Sequence, residues 1–254
     1  MHLFRITLSA ILHRKTWVIC LVAALAFPFL LPTISSATEK PVLLQPARVL
    51  GAWNTLWFCT ILWGFSTAAR QGEDHSKSGL GEYFLAAGLT PARQLFEIWL
   101  AVLSFIVPLT LLTVSICLVT AMPADPAERG MWWVTNLQYA ALFLLVCPPL
   151  AALATAIGSR FGAVAGFALP VGICLYGLWG TGYLANMLSL EENPALQFLW
   201  IISPQYGLAD LTQRLEFKMG ALPNGAFQAM VLYFSGILVI YAILSRLLFR
   251  CKTL

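Results

Sequence analysis

Six stretches of this chain run for about 20 residues or more with almost no charge, the length a helix needs to cross hydrocarbon. They cover residues 16–35, 50–69, 94–121, 131–157, 161–188 and 225–249, and only Glu97 and Arg246 interrupt them with charge. Composition agrees: of 254 residues, 59% are hydrophobic and 10% charged, against roughly 25% charged in soluble domains. Hydrocarbon offers no hydrogen bonds, so each segment must satisfy its own backbone. A transmembrane barrel would alternate apolar and polar residues in short segments, whereas these runs are continuous. The expected fold is an all-α membrane protein of six transmembrane helices over residues 16–254.

Lysine and arginine collect on the cytoplasmic side of membrane proteins. With the N-terminus inside, the inner set is Arg5, Arg14, Lys15, Arg70, Lys77, Arg93, Arg160, Arg246, Arg250 and Lys252, and the outer set is Lys40, Arg48, Arg129, Arg214 and Lys218. That places ten of the 15 basic residues inside, while seven of the 11 acids fall outside. Both termini are expected in the cytoplasm. The basic start, the first apolar run and Ile34-Ser35-Ser36-Ala37 also resemble a secretory signal with a small-residue cleavage site. Against cleavage, the run is long enough to span and residues 1–15 are themselves patterned. His2, Arg5, Ser9 and His13 share one helical face, and Phe4, Leu8, Ile11 and Leu12 another. This reads as an amphipathic helix at the cytoplasmic interface.

Two connections exceed a simple turn. The inner one opens with the polar stretch Arg70-Gln71-Gly72-Glu73-Asp74-His75-Ser76-Lys77, read as a solvated loop, and continues into a short helix over 80–87. Gly88 then supplies a stop, and Thr90-Pro91 an N-cap with proline at the first helical position. The outer connection, 189–224, holds an apolar run over 195–202 that is too short to span and fits a re-entrant hairpin.

Catalytic signatures are missing. There is no GxxxxGK[ST], HExxH or GxSxG, so the chain cannot cradle nucleotide phosphates in a P-loop or act as a zincin or α/β-hydrolase. Dispersed basic residues give no nucleic-acid signal. The six cysteines show no CxxC spacing, and five lie in apolar runs, where thiols act as small apolar groups. No metal or cofactor is expected on this chain. His2, His13 and His75 read as solvated residues of polar segments.

Asn54 is the clearest polar residue well inside an apolar run, with Asn136 and Gln138 nearer an edge. Such residues usually bond a neighbouring helix, and the alternative is a polar pathway. Trp53, Trp57, Trp132 and Trp133 fall near outer ends and read as an aromatic belt. Gly158, Gly162 and Gly166 repeat every fourth residue, a small-residue ladder that lets a helix approach closely, within the chain or in a dimer.

The inner connection stands as Gly79-Leu80-Gly81-Glu82-Tyr83-Phe84-Leu85-Ala86-Ala87-Gly88-Leu89-Thr90-Pro91, and the outer one carries Ser203-Pro204-Gln205-Tyr206-Gly207-Leu208-Ala209-Asp210. With the interfacial helix, six spans and outer re-entrant piece, this resembles the permease subunits of ABC-2 type ABC transporters. Gly79, Glu82, Leu85, Thr90 and Pro91 agree with that family's loop, while Leu80 replaces its threonine and Gly88 its first proline. The resemblance implies a plasma (inner) membrane permease, an exporter, coupled to a separate ABC ATPase subunit that binds the ATP and Mg. Leu80, Glu82, Tyr83, Phe84 and Leu85 would then form the coupling helix that docks on the ATPase. It also implies a second permease subunit, identical or not, with Asn54, Trp57, Gly162 and Gly166 along the dimer face and translocation path. The alternatives are a secondary transporter, which should show internal repeats or intramembrane charges, and a non-transporting scaffold.

Overall fold

A computed structural model describes residues 2–34, 41–190 and 193–251. Met1, the Ser35-Ser36-Ala37 stretch, Glu39, Lys40, Glu191, Glu192, Lys252 and Leu254 lie outside the described residues. Helix makes up 87% of the structure, with no strand among the described residues. Five helices are long and apolar enough to cross a bilayer, which is compatible with a multi-pass membrane protein: Thr16–Ile34, Pro91–Thr120, Pro126–Phe161, Ala163–Leu190 and Asn224–Leu248.

Helix α1 (His2–His13) buries Leu3, Thr7 and Ile11 and leaves His2, Arg5, Ser9 and His13 exposed, so its apolar stripe packs on protein. Its first turn is held by α6 (Pro91–Thr120), where the buried Glu97 accepts the Phe4 N–H at 3.1 Å. A carboxylate at a helix N-terminus satisfies an orphan donor and favours the helix dipole. Lys15, with φ of 54°, then turns the chain into α2 (Thr16–Ile34).

The second apolar run is longer and less apolar than the sequence suggests. Helix α3 (Pro41–Cys59), a π-helical turn at Thr60–Gly64 and α4 (Phe65–Lys77) form one unbroken helical path. Gln45, Arg48 and Asn54 dilute α3, which is not among the five spanning candidates. Packing against α2 and α6 compensates, with Val49, Ala52, Trp53 and Leu56 buried. Arg48, placed by its charge in an outer loop, sits within α3. It donates to the Thr120 carbonyl at 2.9 Å and its guanidinium lies 5.5 Å from the Phe29 ring centre.

The stretch 70–77, expected as a solvated loop, is the second half of α4 and buries Gln71, Gly72, His75 and Ser76. Small residues explain this. A Cβ on Gly72 would sit 2.0 Å from the Thr155 carbonyl oxygen, and one on Gly158 would sit 2.2 Å from that of Ala69, so α4 and α7 (Pro126–Phe161) touch backbone to backbone. Helix α5 (Leu80–Ala86) follows, and the chain turns at Gly88 (φ 85°) into Thr90, whose hydroxyl accepts the Arg93 N–H to cap α6.

Helix α7 runs through the centre and stays helical through Pro148 and Pro149, as α6 does through Pro108. One residue, Gly162 (φ 91°), reverses the chain into α8 (Ala163–Leu175), which continues by a π turn at Tyr176–Gly180 into α9 (Thr181–Leu190). Glu73 accepts the Ala163 N–H at 3.0 Å and caps α8. Helix α10 (Pro194–Ile202) buries none of its side chains. A short 3-10 turn (Tyr206–Ala209) and α11 (Thr212–Glu216) lead to α12 (Asn224–Leu248). All six cysteines are free and buried.

Candidate functional site

Two places in the fold gather the residues singled out by the sequence. The first is a groove beside α3. Trp53 and Trp57 lie one helical turn apart and both are buried, as is Trp132; of the four tryptophans expected in an interfacial belt, only Trp133 is exposed. The reason is a hydrogen-bonded seam with α7. Trp53 Nε1 donates to Asn136 Oδ1 at 3.2 Å, and Asn136 Nδ2 donates to the Trp132 carbonyl at 2.9 Å. Trp53 stacks on Tyr139 with ring centres 3.8 Å apart, and Trp57 Nε1 donates to the Tyr139 hydroxyl at 2.9 Å. Buried indole N–H groups need such partners.

Tyr139 in turn reaches the connection before α12. Its hydroxyl donates to Asp210 Oδ1 at 2.6 Å and lies 2.8 Å from Thr212 Oγ1. Thr212 donates to the same carboxylate oxygen from its backbone N–H at 3.0 Å and from its hydroxyl. Gln138 clamps the connection further along, exchanging two hydrogen bonds with the backbone of Leu222 at 3.0 and 2.8 Å. The carboxylate is thereby fixed beside Trp57, which lies roughly 24 Å along the helix axis from Pro41 at 1.5 Å per residue.

Asp210 and Trp57 line a cavity of about 490 Å³ between α3 and the α8–α9 π turn, with Asn54, Phe58, Leu175 and Trp179 among its other walls. Asn54, Phe58 and Leu62 form a ridge between it and a second, more apolar cavity of about 670 Å³ against α2. Asn54 is exposed, and its side chain makes no hydrogen bond among the described residues. Gly162 and Gly166 do not join this groove. Gly162 forms the α7–α8 turn, where a Cβ would lie 3.4 Å from Glu73 Oε1, and a Cβ on Gly166 would lie 2.7 Å from the Gly158 Cα and amide nitrogen. Both contacts are within the chain.

The second place is the end of the bundle that carries α1, α5 and the chain after α12. Leu3, Phe84, Leu95, Ile98, Ala156, Phe249 and Cys251 form a separate buried cluster, with Leu80 and Leu85 packed against it. Phe84 is 5% exposed and Tyr83 68%. The apolar face of α5 therefore turns inward, and only Glu82 and Tyr83 of the five singled-out residues point outward. Gly81 lets the backbone of Cys251 pass against α5, since a Cβ there would sit 2.2 Å from the Cys251 carbonyl oxygen.

His75, expected to be solvated, is 3% exposed under this cluster and stacks on Phe249 at 5.8 Å. Gln94 Nε2 donates to the carbonyls of Gly81 and Leu89, which turns Gln94 Oε1 toward His75 Nε2 at 2.7 Å. The imidazole proton is therefore on Nε2, and burial holds the His75 pKa below its ordinary 6.5, against the smaller upward pull of Gln94. Beside it, Lys77 at 2.6 Å holds the Glu73 carboxyl below its usual range, and the Ala163 N–H adds to this. Arg14 pairs with Asp74 at 2.7 Å and ties the α1–α2 turn to α4.

The sequence singled out neither Tyr139 nor a role for Asp210, which it held only as the end of the stretch 203–210. Trp53 with Trp57 and Asn136 with Tyr139, each pair three or four residues apart in an apolar run, carry the pattern of two complementary polar helix faces; nothing local marks Asp210. Among the described residues no group of His, Cys, Asp and Glu could hold a metal ion. Comparison of the chain with protein-family models, with curated proteins and with solved structures finds no match.

Proposed function

We propose that this chain is the membrane-spanning permease subunit of an ATP-driven transporter of the ABC-2 type, working as a pair of such subunits in the plasma membrane. In this reading residues 50–69, from α3 through the π turn into the start of α4, supply the sixth crossing, both termini are cytoplasmic, and α10 is a re-entrant piece at the outer face. The observation that carries it is the build of α5. Its inner face is locked into the bundle by Phe84 and by the Gly81–Cys251 contact, while Tyr83 stands outward. A short helix fixed so firmly, with an exposed aromatic, suits the transmission of force from a partner, and exposed aromatics are frequent binding hot spots. The chain has no P-loop, so hydrolysis belongs to that partner.

The test is co-purification from native membranes. Wild type should recover an ABC ATPase, and Tyr83→Ala should weaken its binding by about 2 kcal/mol or more while leaving membrane insertion unchanged. Recovery of no ATPase by the wild type would sink the reading. One observation favours a secondary transporter instead: Asp210, hydrogen-bonded to Tyr139 and lining the groove beside α3, is the kind of carboxylate that couples transport to an ion. Transport by the chain alone in proteoliposomes, driven by a proton or sodium gradient without ATP, would establish that alternative.

A further inference from the structure

We propose that the cavity between α3 and the α8–α9 π turn binds an amphiphilic organic cation, with Asp210 as the counter-charge and Trp57, Phe58 and Trp179 as aromatic walls. This names a substrate class for the permease and rests on that reading for its place in transport, though not for the binding itself.

Charge decides the class of ligand. Asp210 Oδ1 is taken up by Tyr139 and Thr212, and Oδ2 has no partner among the described residues. No described basic residue pairs with Asp210, because each one at this end of the bundle is committed elsewhere. Arg48 bonds the Thr120 carbonyl, Arg129 those of Pro123 and Ala124, and Arg214 that of Gly220, while Lys218 pairs with Glu128 at 2.6 Å. Asp210 is exposed where it lines the cavity, so its free oxygen is open to a ligand, and a carboxylate held there without a basic partner repels anions and attracts cations.

Shape and lining then decide between an inorganic and an organic cation. One carboxylate oxygen and the Asn54 amide are too few donors for a dehydrated metal ion, which takes six or more oxygen ligands as calcium or near-octahedral coordination as magnesium. About 490 Å³ is instead the size of a drug-like molecule's site. Indole and phenyl faces attract cations through their quadrupoles, and Leu62, Val171 and Leu175 offer apolar area to the ligand's body. The Tyr139–Thr212 cradle holds the carboxylate in place before any ligand arrives, so little ordering remains to be done on binding.

Equilibrium dialysis of the purified full-length chain in detergent, without nucleotide or ATPase, tests this with two probes: tetraphenylphosphonium and neutral triphenylphosphine. Wild type should bind the cation at least tenfold more tightly than the neutral probe. Asp210→Asn keeps the size of the side chain and an oxygen for Tyr139, and should cut cation affinity at least tenfold while neutral affinity stays the same. Trp179→Ala, at an exposed residue without hydrogen bonds, should weaken both probes and leave the thermal midpoint unchanged. Equal binding of the cation by wild type and Asp210→Asn, or no preference for charge in the wild type, overturns the proposal. If ATPase co-purifies but no cation binds, the permease reading stands and this site falls.

Discussion

Tyr139 has one proton to give and two groups that need its oxygen. It donates to Asp210 and accepts from Trp57; Tyr139→Phe therefore strands an indole N–H and removes one of the donors on the carboxylate. Leaving buried polar groups short of a partner costs about 1–3 kcal/mol, so the variant should unfold earlier by that amount in detergent. A midpoint equal to wild type would mean that the seam adds no stability. At the other end, His75 is held neutral by burial, and its folded-state pKa lies below the unfolded 6.5. Below pH 6.5 the unfolded chain takes up this proton more readily than the folded one, so the stability His75 supplies is present above that pH and is lost as pH falls through the folded pKa. Thermal midpoints between pH 5 and 8 should drop on the acid side for wild type, and this contribution should vanish in His75→Gln. Neither residue's role could be read locally. His75 lies in a polar stretch of sequence, and its burial depends on Gln94 of α6 and on Phe249, just past α12.

At the level of elements, glycine does opposite things in different helices. Gly72 and Gly158 sit where α4 and α7 meet backbone to backbone, and nothing lies within 4 Å of a Cβ built on Gly172 in α8. Gly72→Ala or Gly158→Ala must push the two helices apart, and overpacking of this kind costs about 1–3 kcal/mol or more. Gly172→Ala should instead be neutral or stabilise the chain by about 0.5–1 kcal/mol, the usual gain in a helix interior. Parallel thermal unfolding of the three variants checks this, and equal loss in all three would refute the assigned crossing. Five of the six apolar runs and the Gly88–Thr90–Pro91 joint were legible because they rest on local physics: hydrocarbon length, a left-handed stop and a hydroxyl cap. The continuation of α3 through Arg48 and of α4 through Lys77 was not. Those polar residues become helical through contacts with Thr120, Phe29 and α7 that lie far away in sequence.

For the whole molecule, the two faces of α5 differ in what they carry, one being packed into the bundle and the other exposed. Phe84→Ala should destabilise the chain by about 3–5 kcal/mol, as for buried phenylalanines generally, whereas Tyr83→Ala should leave the unfolding midpoint within about 0.5 kcal/mol of wild type. Orientation is open to a direct measurement as well. A reporter fused after Leu254 should be active only on the cytoplasmic side, and activity on the outer side would remove the six-crossing reading. The groove beside Asp210 was illegible for a different reason. Its walls come from α3 and the π turn after it, from α8 and the π turn after it, and from the connection before α12, three segments far apart in sequence.

The strap from Phe249 to Cys251 also sets an order of events during synthesis. Gly81 and Cys251 touch across about 170 residues, and a ribosome adding roughly 5–20 residues per second makes the second about 10–30 s after the first. For that interval α5 has no backbone to lie on, and Phe84 lacks Phe249 as a neighbour. This end of the bundle is thus the last part to be finished, although most of its residues are made early. Nascent chains stalled before residue 249 should show Phe84 open to labelling by an aqueous probe after Phe84→Cys, and chains released past Cys251 should not.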